Sequence, residues 1–499
     1  MLSKSEYMMF LKHPGLLWVK KYRKDLLPVV DDNLQAIFQQ GNEFEDYAES
    51  LFPNVKRLGF QDYNSYLQLP EKTEAAWRSG ANCVAQGRYE FQELTCITDL
   101  LEKLPENGYK LVEIKSSTKA KEEHYLDLAF QWVVLEGAGY DILNCELALV
   151  NSEFVREGAV DPKEFVKFVD VTAKVKAKLE DTKTNISEAL SVIKQKEMPP
   201  INPEFAKLNS YAEWMEIRKK LLPSVPDGSI YKLPSINAEQ VDNLLKQGIT
   251  SENEVPEGAT LYPSTKKYLR AKKIGHQEVD VGRLRQFMDR LTYPLYFFDY
   301  ETSQNLIPKW DGTKPYQQVT FQYSLHVLDE PGGNLRHLEY LHQNQGNPAP
   351  ELLEKLKMHM GNSGSVLSWY AKFERLRNNE LSEMHPEYKD LLEGINSRLV
   401  DLRDPFAEEM VVDPDFNGSA SIKSVLPVFC PKLGYNDLEI KEGQSAARLW
   451  KKATFELQDE HEKNRIYANL IKYCERDTYA MVAIYEKLCE YVSADDKPA

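Results

Sequence analysis

Tyr293-Pro294-Leu295-Tyr296-Phe297-Phe298-Asp299-Tyr300-Glu301-Thr302 is an apolar, aromatic run of strand length that ends in two carboxylates one residue apart. Residues i and i+2 of a β-strand point to the same face, so the spacing predicts that Asp299 and Glu301 project together. Two carboxylates forced side by side repel, and a divalent cation is the usual relief. Acids also gather where a strand end meets solvent, so the pair by itself leaves a metal site and a solvated edge both open.

Downstream of this run, strand patterns recur at 318–327, 335–342 and 365–369, and a helix begins near Lys372. A last periodic segment, from about Glu460 to Tyr491, reads as one helix. Three strands, then a further strand leading into helices, predict a mixed α/β order. Two further acids stand out. Leu367-Ser368-Trp369-Tyr370-Ala371-Lys372-Phe373-Glu374 runs from strand into helix and ends on Glu374. In Tyr473-Cys474-Glu475-Arg476-Asp477, helical i,i+4 spacing puts Tyr473 and Asp477 on one face. Asp401 and Asp404 are spare acids nearby, and Gly418-Ser419-Ala420-Ser421-Ile422-Lys423 reads as a Gly/Ser loop that offers Lys423 to a phosphate or simply caps a helix.

Upstream, residues 1 to about 30 predict a basic, aromatic helical start, with Lys20-Lys21-Tyr22-Arg23-Lys24 as its densest positive run. Gln40 to Ala48 opens a helix rich in acids. Residues 84–116 read as strands, followed by a helix from Leu126 to Gly137 and a strand from Leu147 to Asn151. Long polar helices at 173–220 lead into a Pro/Gly/Ser-rich connection at 221–265, which holds a short amphipathic helix, Asn237 to Gly248. Within the strands, Asp99 and, a dozen residues on, Glu113-Ile114-Lys115 form a second constellation. Asp99 and Glu113 suit Mg²⁺, with the Ile114 carbonyl as a further oxygen. Lys115, on the face of Glu113, suits orienting a water and offsetting phosphate charge. An exposed Glu-x-Lys strand edge is the plain alternative.

Length and composition bound these readings. The 499 residues, 42% hydrophobic and 28% charged, are enough for two or three domains with cores of their own. No apolar run reaches the roughly eighteen residues that span a bilayer, and the first residues lack a signal peptide's apolar segment; a cytoplasmic location and no membrane partner are the expectation. Six cysteines without a C-x-x-C pair argue against a zinc ribbon or disulfide framework. A net charge of −15 disfavours a broad nucleic-acid coat, but basic residues confined to one channel remain compatible with a nuclease.

Two resemblances join these fragments. Asp99, Glu113-Ile114-Lys115-Ser116-Ser117 and Asp127-Leu128-Ala129-Phe130-Gln131 resemble the RecB-type branch of PD-(D/E)XK nucleases. That likeness implies metal ligands at Asp99 and Glu113, Lys115 as a catalytic residue, and Gln131 holding the site or the DNA. Gly41-Asn42-Glu43-Phe44-Glu45-Asp46 falls where that group has an N-terminal helix motif, with Glu43, Glu45 and Asp46 as alternative ligands. Relatives with an iron–sulfur cluster carry Cys before the Pro at His13-Pro14 and three more beyond the nuclease core; this chain has none there, and no cluster is expected.

Asp299, Glu301, Glu374 and Asp477 with Tyr473 resemble the DnaQ-like 3′–5′ exonucleases of the RNase H-like fold, in the variety with tyrosine in the last motif. The likeness implies two Mg²⁺ or Mn²⁺ ions on the four carboxylates and a water oriented by Tyr473. Glu374 stands where Asp is commoner, and Ala371 where Asn is common. Together the halves resemble a bacterial domain-of-unknown-function family that joins the two nuclease types. Leu291 to Thr302 and Gly418 to Pro427 carry that match.

The expectation is therefore α/β throughout: a restriction-endonuclease-like mixed-sheet domain over 1–185, a helical linker over 186–290, and an RNase H-like domain over 291–499. The implied activity is metal-dependent phosphodiester hydrolysis of nucleic acid, DNA favoured, in repair or antiviral defence, with a helicase or defence protein as partner. The alternative is a nucleic-acid-binding scaffold with one or both centres idle.

Overall fold

A computed structural model describes residues 1–29, 31–202, 205–208, 212–221 and 226–494. The chain is a mixed α/β protein that divides into two compact units. The first comprises Met1–Tyr231, Asn237–Thr250 and Leu306–Pro315; the second comprises Lys232–Ile236, Ser251–Asn305 and Tyr316–Ala499. The 186–290 stretch is thus divided between the two. Among the described residues no helix is long and apolar enough to cross a membrane.

The first unit is built on a seven-stranded mixed sheet. Its strands are β1 (Leu2–Ser3), β2 (Val55–Arg57), β3 (Cys83–Phe91), β4 (Leu94–Lys103), β5 (Tyr109–Lys115), β6 (Ile142–Val150) and β7 (Val166–Asp170). The order is β2-β3-β4-β5-β6-β7, with β1 added in parallel to β4. The central antiparallel pairs β3/β4 and β4/β5 bring Asp99 beside Glu113, because Leu100 lies opposite Val112. Helix α1 (Lys4–Lys12) follows β1 directly, started by Ser3, whose side chain accepts from Glu6 while Glu6 caps Ser3 in return. Pairing of Leu2 with Leu94 and this capping box together pin Lys4 over β4.

Two helices begin earlier than their apolar periodicity predicts. Helix α2 (Asp32–Glu49) starts well before Gln40, because the Asp31 carboxylate accepts from the Leu34 amide. Helix α3 (Glu122–Gly137) gains a first turn ahead of Leu126, where Lys121 is extended and its amide donates to His124. Helix α3 lies on the sheet, its Leu128, Phe130 and Leu135 packed with Tyr7 and Phe10 of α1. Buried His13 stacks on Trp214 with ring centroids 4.1 Å apart. Its Nε2 lies 2.9 Å from the Asn202 carbonyl, and its Nδ1 accepts from Gly15.

The second unit carries a five-stranded sheet of β8 (Leu295–Gln304), β9 (Gln318–Leu328), β10 (Leu335–Leu341), β11 (Ser365–Ser368) and β12 (Leu399–Asp401). The order is β10-β9-β8-β11-β12; the first three strands are antiparallel, and β11 and β12 join in parallel. The strand-forming run of 293–302 lies at the centre, which is why its aromatics alternate between two cores. Phe297 packs with Ala480, Met481 and Ile484 of the C-terminal helix. Tyr296, Phe298 and Tyr300 pack on the other face with Leu352, Leu353 and Leu392. Period-2 alternation then places Asp299 and Glu301 on the C-terminal helix's side. Helices α4 (Lys372–Met384), α5 (Ile422–Phe429) and α6 (Glu460–Ala494) complete what positions the site.

Candidate metal centres

In the first unit, β4 supplies Asp99, β5 supplies Glu113 and Lys115, α3 supplies Asp127 and Gln131, and α1 supplies Lys4. Lys115 Nζ lies 2.6 Å from Glu113 Oε1 and 3.0 Å from Asp127 Oδ2. Lys4 Nζ lies 2.9 Å from the same Glu113 oxygen and 3.7 Å from Asp127 Oδ1. Gln131 is fully buried; its Nε2 donates to Glu113 Oε2 at 2.7 Å and to Asp127 Oδ1 at 3.0 Å. It holds the carboxylates from below rather than reaching outward. The Ile114 amide donates to Asp99 Oδ2 at 2.7 Å.

Charge is nearly balanced in this cluster. Burial opposes ionisation of Glu113, yet Lys115 and Lys4 outweigh it and hold the carboxyl below its ordinary value. Burial and then the Glu113 charge push Asp99 up to about 8. Asp127 is raised for the same two reasons. Of the three acids of α2 left as alternatives, Glu45 is the one whose charge bears on Asp99 and Glu113. Glu43 is exposed, and exposed Asp46 pairs with Arg57. The positive run at 20–24 pairs internally, Lys21 with Glu6 and Arg23 with Asp25.

The second unit gathers its carboxylates at the C-terminal ends of the parallel strands β8 and β11, where a mixed α/β sheet opens a crevice. Asp299 and Glu301 come from β8, Glu374 from the first turn of α4, and Asp477 with Tyr473 from α6. A bulge shifts the β8/β9 register between Thr320 and Gln322, opposite Glu301. Glu301 is 7% exposed and Glu374 1%. Burial, then Asp477, holds Asp299 well above the usual carboxylate range. Burial and then Asp299 do the same for Glu301 and for Glu374. Asp477 is pushed to about 6 by burial, against hydrogen bonds from Tyr435 and Tyr473. Tyr435 Oη donates to Asp477 Oδ1 at 2.5 Å.

Here no ammonium sits directly on the carboxylates; Lys423 acts on Glu301 and Asp477 only from further off. Among the described residues, no Lys or Arg forms an ion pair with any of the four carboxylates, and Glu374 Oε2 is buried with no hydrogen-bond partner. Ligand atoms of Asp299, Glu301 and Cys474 lie within 4.8 Å of one another. A hard divalent cation fits this oxygen-rich set, which carries no ion pair among the described residues. In the first centre, by contrast, Lys4 already occupies an oxygen of Glu113 that a cation would need.

Lys423, exposed at the start of α5, donates to the Lys441 carbonyl at 2.7 Å, and its Nζ stands 5.5 Å from the Tyr435 ring centre. Its charge lowers Glu301 and Asp477. Asp401 is engaged otherwise: its Oδ1 accepts from the amides of Tyr370 and Arg403, both at 3.0 Å. That bracing suits Tyr370, a non-glycine residue at φ 75°, at the turn into α4. Sequence reasoning missed Lys4, Asp127, Tyr435 and Cys474 as members of these centres. Asp127 carried a readable signal, i,i+4 spacing to Gln131; Lys4 and Tyr435 arrive only through tertiary packing.

Fold and sites together define a mixed α/β protein with two clusters of buried and half-buried carboxylates. Residues 296–421 match the family model described as Domain of unknown function (DUF2779), a span that holds Asp299, Glu301 and Glu374. An uncharacterized protein of Mycoplasma genitalium is 25% identical over 234 residues, covering 43% of this chain and 35% of its own length. One of Ureaplasma parvum is 24% identical over 208 residues, 38% of this chain and 30% of its own. A Mycoplasma pneumoniae relative is 24% identical over 220 residues, with shares of 41% and 33%. The chain spans about a third of the length of these curated relatives.

Proposed function

We propose that the protein is a divalent-metal-dependent nuclease with two phosphodiesterase centres, a RecB-like one in the first unit and a DnaQ-like 3′–5′ exonuclease centre in the second. The observation that carries this reading is the clustered set Asp299, Glu301, Glu374 and Asp477, with Glu301 and Glu374 buried and none of the four in an ion pair among the described residues. Burying ionised carboxylates without partners is prohibitively unfavourable, so a site kept in this form fits Mg²⁺ or Mn²⁺. The order of the five-stranded sheet, three antiparallel strands then two parallel ones, supports the RNase H-like reading.

Asp299, Glu301, Glu374 and Asp477 would hold the cations in the second centre, and Asp99 and Glu113 would hold them in the first. When bound, such cations lower the pKa of a water and offset charge on the leaving oxygen. The chain's own groups do the rest. Tyr473, hydrogen-bonded to Asp477, orients the attacking water. Tyr435 fixes the Asp477 carboxylate, and Lys423 brings positive charge to the rim for a phosphate. In the first centre Lys115 positions water and phosphate, while Gln131 keeps Glu113 and Asp127 in register. DNA is the favoured substrate, in repair or defence against foreign DNA.

Cleavage of 3′- and 5′-labelled single-stranded DNA with Mn²⁺ tests this. Stepwise 3′ trimming is expected to vanish in Asp299→Ala, and internal cuts in Lys115→Ala. No cleavage of DNA or RNA by the wild type with either metal would sink the enzyme reading. One observation favours a second reading for the first centre: the Lys4 ammonium already sits on Glu113. A nucleic-acid-binding scaffold with that centre idle predicts binding without internal cuts, and no change on Lys115→Ala.

A further inference from the structure

We infer that the second unit carries a separate site for a borderline transition-metal ion of the Zn²⁺ type, formed by His326 of β9, His337 of β10 and Glu475 of α6. Register sets the pair: His326 lies directly opposite His337, so both rings project to one face of the sheet. The rings stack with centroids 4.5 Å apart. One ligand atom from each of His326, His337 and Glu475 lies within 4.8 Å of the other two.

One nitrogen of each ring lies against a hydroxyl: His326 Nδ1 is 2.8 Å from Thr478 Oγ1, and His337 Nε2 is 2.9 Å from Ser324 Oγ. The two hydroxyl oxygens are 2.7 Å apart, and Thr478 Oγ1 also reaches the Glu475 carbonyl at 3.1 Å. With the ring protons on this hydroxyl side, the lone pairs of His326 Nε2 and His337 Nδ1 would be left for a metal, and His337 Nδ1 lies 3.9 Å from Glu475 Oε1.

Metal-binding histidines characteristically donate their other ring N–H to an oxygen, which fixes the ring and its basicity. The Ser324/Thr478 pair is that support. Two imidazoles and a carboxylate are a Zn²⁺ donor set rather than a Mg²⁺ one. Tetrahedral bonds of about 2.0–2.2 Å want donors roughly 3.3 Å apart, and Glu475, 46% exposed at its side chain, has the freedom to close the gap. The two imidazoles set the site apart in ligand chemistry from the carboxylate centre of Asp299 and Glu301. Its occupant would tie β9 and β10 to α6, the helix that bears Tyr473 and Asp477.

The test uses the full chain, stripped with EDTA, and Zn²⁺ or Co²⁺ alone as the probe, by calorimetry and by the visible Co²⁺ spectrum. One ion with nitrogen ligation is expected to bind, to survive in Asp299→Asn and to weaken about tenfold or more in His337→Gln. Unchanged binding in His337→Gln overturns the site. If that variant does not fold, zinc-edge anomalous scattering from wild-type crystals decides: a peak at His326/His337 supports the site, and a peak only at Asp299/Glu301, or none, overturns it. Neither result depends on nuclease activity.

Discussion

Glu374 Oε2 is buried without a hydrogen-bond partner, and burial and then Asp299 hold its carboxyl well above the ordinary range. Glu374→Gln keeps the shape and removes the ionisable group. It should therefore leave the metal-free fold at least as stable in thermal melts, yet cut Mn²⁺-dependent 3′ trimming by roughly a hundredfold or more. A variant that trims at the wild-type rate would remove Glu374 from the centre. Lys4 poses the opposite case, because its ammonium takes an oxygen of Glu113 that a cation would need. Lys4→Ala should tighten Mg²⁺ binding by about tenfold, seen as a larger Mg²⁺-induced rise in melting temperature; weaker binding would make Lys4 part of the working centre instead. Asp127 and Gln131 were legible as an i,i+4 pair, whereas nothing local marks Lys4, more than a hundred positions from Glu113 in the chain.

Helix α6 is the element on which the second centre depends, since it brings Tyr473 and Asp477 together on one face. That face was readable from spacing alone, and so was the strand that opposes it. The seating of the strand was less so. Gly364, at φ 87°, precedes β11, and a Cβ there would collide with the backbone of Pro294 at the start of β8. The Ser365 amide donates to the Thr292 carbonyl at 2.8 Å across the same junction. Gly364→Ala should destabilise the fold by about 2 kcal/mol or more in urea unfolding, and should lower 3′ trimming by displacing Asp299. Helix starts such as Asp32 went unread because a single side-chain cap, Asp31, extends the helix beyond its apolar periodicity.

For the molecule as a whole, the two centres make stability depend on pH in a defined direction. Asp99 is raised to about 8 and Asp477 to about 6, whereas unfolded aspartate titrates near about 3.9. The folded chain therefore holds protons that the unfolded chain has lost. The stability these groups contribute is full below about pH 4 and is lost as pH rises through about 6 and then about 8. Glu113 runs the other way, stabilising above its unfolded value and losing that contribution as pH falls through its depressed folded one. Melting temperatures of EDTA-treated protein should thus decline from about pH 5 to 8.5, less steeply at the upper end in Asp99→Asn. Saturating Mg²⁺ should reverse much of the decline by replacing those protons; a flat profile with or without metal would contradict the buried, proton-holding carboxylates.

The sequence by itself determined the α/β class, the strand that carries Asp299 and Glu301, and which residue types could meet, because period-2 and i,i+4 spacing are local properties of the backbone. It left open which of Glu43, Glu45 and Asp46 faces the first cluster, and it gave no sign of Lys4, Tyr435 or the His326/His337 pair. Those belong to the tertiary structure. Sheet order, register and helix packing bring residues distant in the chain within hydrogen-bond reach, and burial then sets which carboxylates keep their protons.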